Sequence, residues 1–363
     1  MASLAASAPS LAATFVYVSN AEDGDIGSYR LLDSGELQPG ARVKAAGMVM
    51  PMVVSPDRRF LYAASRSKPF AVHAYSINPG TGALTLLASS PLAESFPYIS
   101  LDKTGRYLFG ASYGGHVISV NAVATDGRVA TEPLQVIPVG RNAHAIIVDA
   151  SNKFVYVPSL GNDAIFQFTF DANTGRLSSN TPAVFQMKPA TGPRHVVLSS
   201  DDRFMYVLGE FTGSVTTLAI DPKTGLLSEV GTVSAMPADT KLVPGVARGG
   251  PVPRNTDNDI WAADIHLTPN GKFLYTSERT SSTLGQLSVD GATGKVSYLS
   301  NVATERQPRG FAIDPKGRFL VASGEKSENL SVYSIDQSSG ALKLLNKYPT
   351  GKGSNWIEIV SFD

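Results

Sequence analysis

The chain has 363 residues, of which 43% are hydrophobic and 17% are charged, so it can form a large core and is not a disordered protein. Its 31 basic and 31 acidic residues balance, which argues against a nucleic-acid or anionic-membrane surface, because both need a basic excess. It has no cysteine, which excludes disulfides, thiolate zinc sites and a cysteine nucleophile. No apolar run is long enough to span a membrane.

Residues 1–13 are small and mostly apolar, and we expect them to form a flexible N-terminal segment. They lack the basic start and the long apolar stretch of an intact signal peptide, but Leu11, Ala12 and Ala13 resemble the end of one. The sequence therefore favours a periplasmic or secreted protein, with a cytoplasmic protein as the alternative. A single domain is expected over residues 14–363.

One motif recurs along that domain: a polar turn, a basic residue and an aromatic residue that begins a strand. Six copies are complete, and a seventh consists of the strand alone. The aromatic residues are Phe15, Phe60, Tyr107, Phe154, Phe204, Phe273 and Phe319. Neighbouring copies are 45 to 50 residues apart, except for 69 residues between Phe204 and Phe273.

The segments around each motif are also typical of strands. A short apolar run such as 195–198 precedes the turn, and an alternating strand such as 330–335 follows the aromatic strand. A second, glycine-containing turn such as 221–225 then leads to a fourth strand. Four short antiparallel strands per repeat predict an all-β, seven-bladed β-propeller. A β-sandwich or a pair of separate domains is the structural alternative.

The two ends of the chain complete one blade. The chain begins with the second strand of a blade, at Phe15, and it ends with a segment of the first-strand type at 355–361. We therefore expect the last blade to combine three N-terminal strands with one C-terminal strand. Such closure removes the exposed sheet edges that an open structure would leave.

The repeat also predicts which residues share a face. Strand direction alternates, so the connections between blades and those between second and third strands lie at one end of the ring, which we call the top. The positions ten residues before the aromatics, and the matching point of the last strand, are Met50, Pro97, His144, Arg194, Ala263, Arg309 and Trp356. The positions six residues after them are Ala21, Arg66, Tyr113, Leu160, Glu210, Arg279 and Glu325. The top thus collects a histidine, four arginines and two glutamates, as a functional site would.

The 69-residue spacing adds a segment at about 236–260, rich in proline and glycine, between two blades on the same face. A loop of this length is either a lid or rim over the site, or a surface insertion.

These residues predict chemistry with an anionic substrate. There is no Ser-His-Asp motif, no nucleophile elbow and no P-loop. Arginines interleaved with the acidic residues oppose a metal, so no metal or cofactor is expected. Guanidinium groups pair with carboxylate or phosphate and can stabilise an oxyanion, and a glutamate or histidine among them is a candidate general acid or base. Further residues expected to contact substrate are Arg66, Tyr113, His195, Asp264, His266, Arg309, Glu325 and Trp356.

Several motifs resemble one known family in order along nearly the whole chain: 50–57, 192–195, 261–269 and 307–311. They are similar to those of the bacterial 6-phosphogluconolactonase family of seven-bladed propellers, which includes fungal carboxymuconate-lactonising enzymes. The resemblance implies a site of one histidine, two arginines and one glutamate, matched here by the catalytic candidates His144, Arg194, Glu210 and Arg279.

The resemblance implies lactone chemistry, and three functions remain open. The first is metal-independent hydrolysis of a sugar lactone, either 6-phosphogluconolactone or a related aldonolactone or sugar-acid lactone. The loop at 236–260 and the possible export signal favour an unphosphorylated lactone. The second is a lactonising cycloisomerase, and the third is a propeller that binds ligands without catalysis. The partner expected is a small anionic molecule, not a nucleic acid or a membrane, and the chain is expected to be a monomer or a weak homodimer.

Overall fold

A computed structural model describes residues 13–249 and 255–362. In this part of the chain, 28 strands form seven sheets of four antiparallel strands each, which confirms the predicted seven-bladed β-propeller. A 3₁₀ turn at Leu160–Asn162 is the one helical element there, and it is too short to cross a membrane. Most of the predicted flexible segment, residues 1–12, lies outside the described residues.

We number the blades in chain order. Blade 1 comprises β4 Val49–Val54, β5 Phe60–Ser65, β6 Ala71–Ile77 and β7 Leu84–Pro91. Blade 2 comprises β8 Tyr98–Leu101, β9 Tyr107–Ala111, β10 Val117–Ala122 and β11 Gln135–Pro138. Blade 3 comprises β12 Ile147–Val148, β13 Phe154–Ser159, β14 Ala164–Asp171 and β15 Arg176–Gln186. Blade 4 comprises β16 Pro193–Leu198, β17 Phe204–Gly209, β18 Ser214–Ile220 and β19 Leu227–Ser234. Blade 5 comprises β20 Ala262–Leu267, β21 Phe273–Glu278, β22 Thr283–Val289 and β23 Val296–Ala303. Blade 6 comprises β24 Phe311–Ile313, β25 Phe319–Ala322, β26 Asn329–Ile335 and β27 Leu342–Pro349. Blade 7 comprises β28 Ser354–Phe362, β1 Ala13–Asn20, β2 Asp25–Leu31 and β3 Leu37–Lys44.

Blade 7 closes the ring as the sequence predicts. Strand β1 pairs with β28 along its whole length, from Ala13 opposite Phe362 to Asn20 opposite Ser354. The first strands of neighbouring blades contact one another, as β16 contacts β20 and β28 contacts β4. These first strands therefore surround the central channel, and the fourth strands form the outer edge of the ring.

The recurring aromatic residue and the recurring glycine of the second turn join one blade to the next. A side chain added at Gly225 in blade 4 would lie 2.3 Å from the ring of Phe154 in blade 3, and Gly225 has a φ of +70°. The hydroxyl of Tyr156, two residues after Phe154, donates a hydrogen bond to the Gly225 carbonyl oxygen at 2.8 Å. The same contact recurs from Tyr17 to Gly82 and from Tyr275 to Gly340. Both parts of the repeat thus serve packing between blades.

Candidate active site

A cavity of about 230 Å³ opens at the top of the ring and gathers half of the residues predicted for this face. Its lining residues are Arg66, Pro97, Tyr113, His144, Glu210, Arg248, Gly249, Trp261, Arg279 and Arg309. They come from four turns that follow second strands and from four connections between blades, all at the top end of the ring. We call this cavity the upper pocket.

Glu210 is held between two guanidinium groups at the floor of the upper pocket. Its Oε2 atom lies 2.8 Å from Nε of Arg194 and 2.9 Å from Nη2 of Arg279. Glu210 and Arg279 follow β17 and β21, whereas Arg194 lies in β16. The Arg194 side chain is fully buried, and that of Arg279 is 2% exposed. Two arginines in contact with one buried carboxylate leave this cluster with a net positive charge.

Backbone carbonyl groups also accept hydrogen bonds from the two arginines. Arg279 donates hydrogen bonds to the carbonyl oxygens of Trp261 at 2.9 Å and Ala262 at 3.0 Å. Nη1 of Arg194 donates to the carbonyl oxygen of Ala263. Burial lowers the pKa of Arg194 well below its ordinary value, and the Arg279 charge lowers it further, whereas Glu210 opposes this shift. Nη2 of Arg194 is buried and has no hydrogen-bond partner among the described residues.

A β-bulge explains why Arg194 and its neighbour His195 both reach the channel. Pro193 pairs with Gly209 and Val196 pairs with Val207, so Arg194 and His195 together face a single residue of β17. A bulge of this kind re-aims side chains that would otherwise alternate regularly. Arg194 contacts Glu210 beneath the upper pocket, whereas His195 lines a different cavity farther down the channel.

His144 lies beside this cluster, in surroundings that favour its uncharged form. Burial lowers its pKa well below the usual value, and the nearby positive charge of Arg194 lowers it further. Its Nδ1 atom is buried and has no hydrogen-bond partner among the described residues. The ring is held edge-on against Tyr113, with the two ring centres 5.7 Å apart. A neutral imidazole can accept a proton at one nitrogen and donate from the other.

Two further arginines of the upper pocket come from blades 1 and 6. Arg66 donates a hydrogen bond to Oγ of Ser95 at 3.0 Å, and burial followed by repulsion from Arg309 lowers its pKa to about 10. Nε of Arg309 lies 3.9 Å from Oε1 of Glu325, too far for a hydrogen bond. Burial opposes ionisation of Glu325, but the Arg309 charge and a hydrogen bond from Gln307 outweigh it and lower its pKa. Glu325 itself does not line the pocket.

Arg248 and Gly249 also line the upper pocket, and neither was among the site residues predicted from the sequence. Both belong to the segment at 236–260, which the structure places over the top of the ring between β19 and β20. Its residues 250–254 lie outside the described residues. The register of the repeat could not find these residues, because inserted residues have no counterpart in other blades. Their position above an arginine-rich face was the available signal.

Four of the residues predicted to contact substrate lie in a second cavity. It measures about 320 Å³, extends to the turns at Pro269 and Pro315 on the opposite face, and is lined in part by His195, Asp264, His266 and Trp356. We call it the lower cavity. The structure therefore does not bring these four side chains into the upper pocket with Glu210.

Asp264 organises the lower cavity. Its carboxylate lies 2.8 Å from Nδ1 of His195 and 3.1 Å from Nε2 of His266. Burial opposes its ionisation, but His266 and His195 outweigh this and lower its pKa. Among the described residues, no group of three or more His, Asp or Glu side chains could hold a metal ion.

The position assigned to Trp356 needs a correction of one residue. The repeat aligned Trp356 with Arg194, whereas Trp356 pairs with Ser19 and the irregularity between Ser19 and Asn20 places Asn355 level with Arg194. Trp356 thus matches His195, and both side chains line the lower cavity. The error arose because the last strand has no aromatic motif of its own from which to count.

Comparison with known proteins matches this chain to one family. The model of the family described as "Lactonase, 7-bladed beta-propeller" matches residues 14–359. The chain belongs to this lactonase family. It is 39% identical to a 6-phosphogluconolactonase of Serratia proteamaculans, over 95% of this chain and 98% of that protein. It is 37% identical to a 6-phosphogluconolactonase of Pectobacterium carotovorum, over 96% and 99% of the two chains.

Solved structures show the same ring. A periplasmic gluconolactonase of Pseudomonas aeruginosa superimposes on this lactonase-family chain with a TM-score of 0.84 and 25% identity, over 96% of this chain and 99% of the other. A Lactobacillus plantarum protein gives a TM-score of 0.82 at 22% identity, over 96% and 100% of the two chains, which shows the fold alone. The family model and the two 6-phosphogluconolactonases confirm the family resemblance predicted from the sequence motifs.

Proposed function

We propose that the protein hydrolyses a sugar lactone to its acid, by attack of water on the ring ester and without a metal ion. The observation that carries the proposal is the Arg194–Glu210–Arg279 cluster at the floor of the upper pocket. The relatives named as 6-phosphogluconolactonases, which match almost the whole chain, support the same reaction.

In the proposed reaction, the oxygen of a water molecule attacks the lactone carbonyl carbon while Glu210 accepts a proton from that water. Arg279, which faces the pocket, stabilises the negative charge that develops on the carbonyl oxygen, and the buried charge of Arg194 lies behind it. The bond from the carbonyl carbon to the ring oxygen then breaks, and the ring oxygen takes up the proton that Glu210 had accepted, which returns Glu210 to its carboxylate form. Neutral His144 is the second candidate for the base, because its Nδ1 has no other partner among the described residues.

The test is acid release from a panel of sugar lactones, followed with and without a chelator. We expect Glu210→Gln to lose about 100-fold or more in kcat, as is typical when a general base is removed. The exposed carboxylate of Glu132 provides a matched control, and Glu132→Gln should keep wild-type activity. A fully active Glu210→Gln, Arg194→Ala double variant would rule out this site, and loss of activity with the chelator would rule out the metal-independent mechanism.

We also propose that the natural protein is exported. The support is the signal-like end of residues 1–13 and the similarity to the periplasmic gluconolactonase of Pseudomonas aeruginosa. Cell fractionation of the native gene product checks this, and recovery in the cytoplasm alone would contradict it.

A further inference from the structure

The loop that we define as residues 236–260 is attached to the ring on both sides of the upper pocket. Val243 pairs with Asp259 within the loop, and the amide of Gly245 donates a hydrogen bond to the carbonyl oxygen of Phe211 at 2.8 Å. At its far end, the hydroxyl of Tyr113 in blade 2 donates to the carbonyl oxygen of Arg248 at 2.6 Å. The loop thus leaves blade 4 and reaches blade 2. This attachment fixes the backbone of Arg248 at the pocket.

The guanidinium group of Arg248 has few polar contacts of its own. Its Cζ atom lies 4.5 Å from the centre of the Trp261 ring, and its Nη2 donates to the carbonyl oxygen of Thr256 at 3.1 Å. The nearest carboxylate oxygen, on Asp259, is 4.0 Å away. The Nε atom of Arg248 is buried and has no hydrogen-bond partner among the described residues. A buried donor without a partner is costly, which favours an acceptor supplied by a bound molecule.

The charge balance of the upper pocket indicates which kind of acceptor. Its described lining includes four arginines, at positions 66, 248, 279 and 309, but only one acidic residue, Glu210. Glu210 already contacts Arg279 and the buried Arg194. Behind the lining, Asp259 lies 4.0 Å from Arg248, and Glu325 lies 3.9 Å from Arg309. Five arginines therefore face three carboxylates. A second guanidinium, that of Arg279, also lies 3.8 Å from the centre of the Trp261 ring. A plain sugar lactone is neutral, so it cannot balance the remaining positive charge.

We propose that Arg248 is a specificity-determining residue that binds an anionic substituent of the lactone, a phosphate or a second carboxylate, with Arg66 and Arg309. This inference rests on the proposed lactonase function and names the substrate class of the same site. Guanidinium groups suit it because they donate two parallel hydrogen bonds to either anion. The loop thus selects the substrate, whereas Glu210 and Arg279 at the floor act on its ring.

The experiment compares three lactones with the wild type, Arg248→Gln and Arg248→Lys. Gluconolactone is neutral, 6-phosphogluconolactone carries a phosphate, and glucarolactone carries a free carboxylate. We expect the wild type to prefer one or both anionic lactones. We expect Arg248→Gln to raise KM for the preferred lactone roughly tenfold or more, while kcat/KM for gluconolactone changes less than about twofold. Arg248→Lys should retain part of the preference, because it keeps the charge but not the paired donors.

Arg128 provides the matched control, because it is exposed and pairs with Asp126 within its own turn. Arg128→Gln removes the same charge and should leave all three KM values unchanged. Equal loss on neutral and anionic lactones in Arg248→Gln, or no loss on any, would overturn the role of Arg248 and leave the lactonase function standing. A wild type that hydrolyses none of the lactones would instead refute the proposed function itself, and this inference with it.

Discussion

Glu210 receives its two guanidinium contacts from different directions, since Arg194 belongs to its own blade and Arg279 belongs to the next. Each side chain is nearly or fully buried, so the cluster has been removed from water at a large cost in solvation. The cluster is stable only while the carboxylate and the guanidinium groups remain in contact. The cluster therefore serves the fold and the proposed chemistry at once.

One residue-scale prediction concerns the stability of this cluster. Arg194→Met should lower the free energy of unfolding by about 3 kcal/mol, because it leaves Glu210 buried with one of its two partners. The shift in the urea midpoint measures this effect. Adding Glu210→Gln to Arg194→Met should recover part of the loss, and a double variant no more stable than the single one would contradict this explanation.

A second residue-scale prediction concerns pH. The pKa of His144 is held well below the usual value by burial and by Arg194, so the imidazole stays neutral from about pH 8 down to about pH 6. Titration of His144 should therefore produce no change in kcat/KM over that range. A pH–rate profile measures this, and an acid limb near pH 6.5 that disappears in His144→Gln would contradict it.

At this scale, the register of the repeat located the site residues that follow the repeat. His144, Glu210 and Arg279 lie at fixed distances from strand-opening aromatics, so the register alone placed them on one face. It failed for Arg248, which lies in an insertion, and it misplaced Trp356, whose strand has no aromatic from which to count. Contacts with a neighbouring blade, such as that of Arg194 with Ala263, need the folded ring.

At the scale of elements, irregularities in the inner strands determine which of the two cavities a side chain faces. Bulges in β4, β16 and β20, and the irregularity in β28, each let two consecutive residues face one partner residue. In β16 the first of these residues serves the upper pocket and the second serves the lower cavity. The repeat predicts the strands, but not these bulges, because a bulge depends on the pairing of backbones rather than on hydrophobic alternation.

Strand β28 carries a carboxyl group whose ionisation should weaken the fold. Burial raises the pKa of Glu358 to about 7, although a 2.8 Å hydrogen bond from Nε1 of Trp356 opposes the shift. The folded protein then binds a proton that the unfolded chain has released, so this contribution to stability is lost as pH rises through about 7. We expect the melting temperature of Glu358→Gln to exceed that of the wild type at about pH 8, but not at about pH 5. Equal differences at the two values would contradict this.

At the scale of the whole molecule, stability depends on identical contacts between blades. Each opening aromatic packs under the glycine turn of the following blade, as Phe154 packs under Gly225. Both residues recur along the sequence, but the sequence does not explain why their spacing recurs. The structure explains it, because the aromatic of one blade contacts the glycine of the next. Each junction depends on a contact that a methyl group would obstruct.

Gly225→Ala should therefore destabilise the protein by about 1–3 kcal/mol, because the added methyl group meets the Phe154 ring and the backbone φ is positive. Thermal unfolding measures the loss. Gly291→Ala is the matched control, since a side chain added there meets nothing within 4 Å. Similar losses in the two variants would contradict the role of the glycine–aromatic contact.

The pairing of β1 with β28 also has a consequence for synthesis on the ribosome. Strands β1 to β3 emerge first, yet their inner neighbour β28 is made after all the other strands. During elongation, the edge of β1 stays unpaired while six blades are completed, and it can recruit a strand from another nascent chain. The interval before β28 leaves the exit tunnel is thus the period in which a chaperone would protect the protein most.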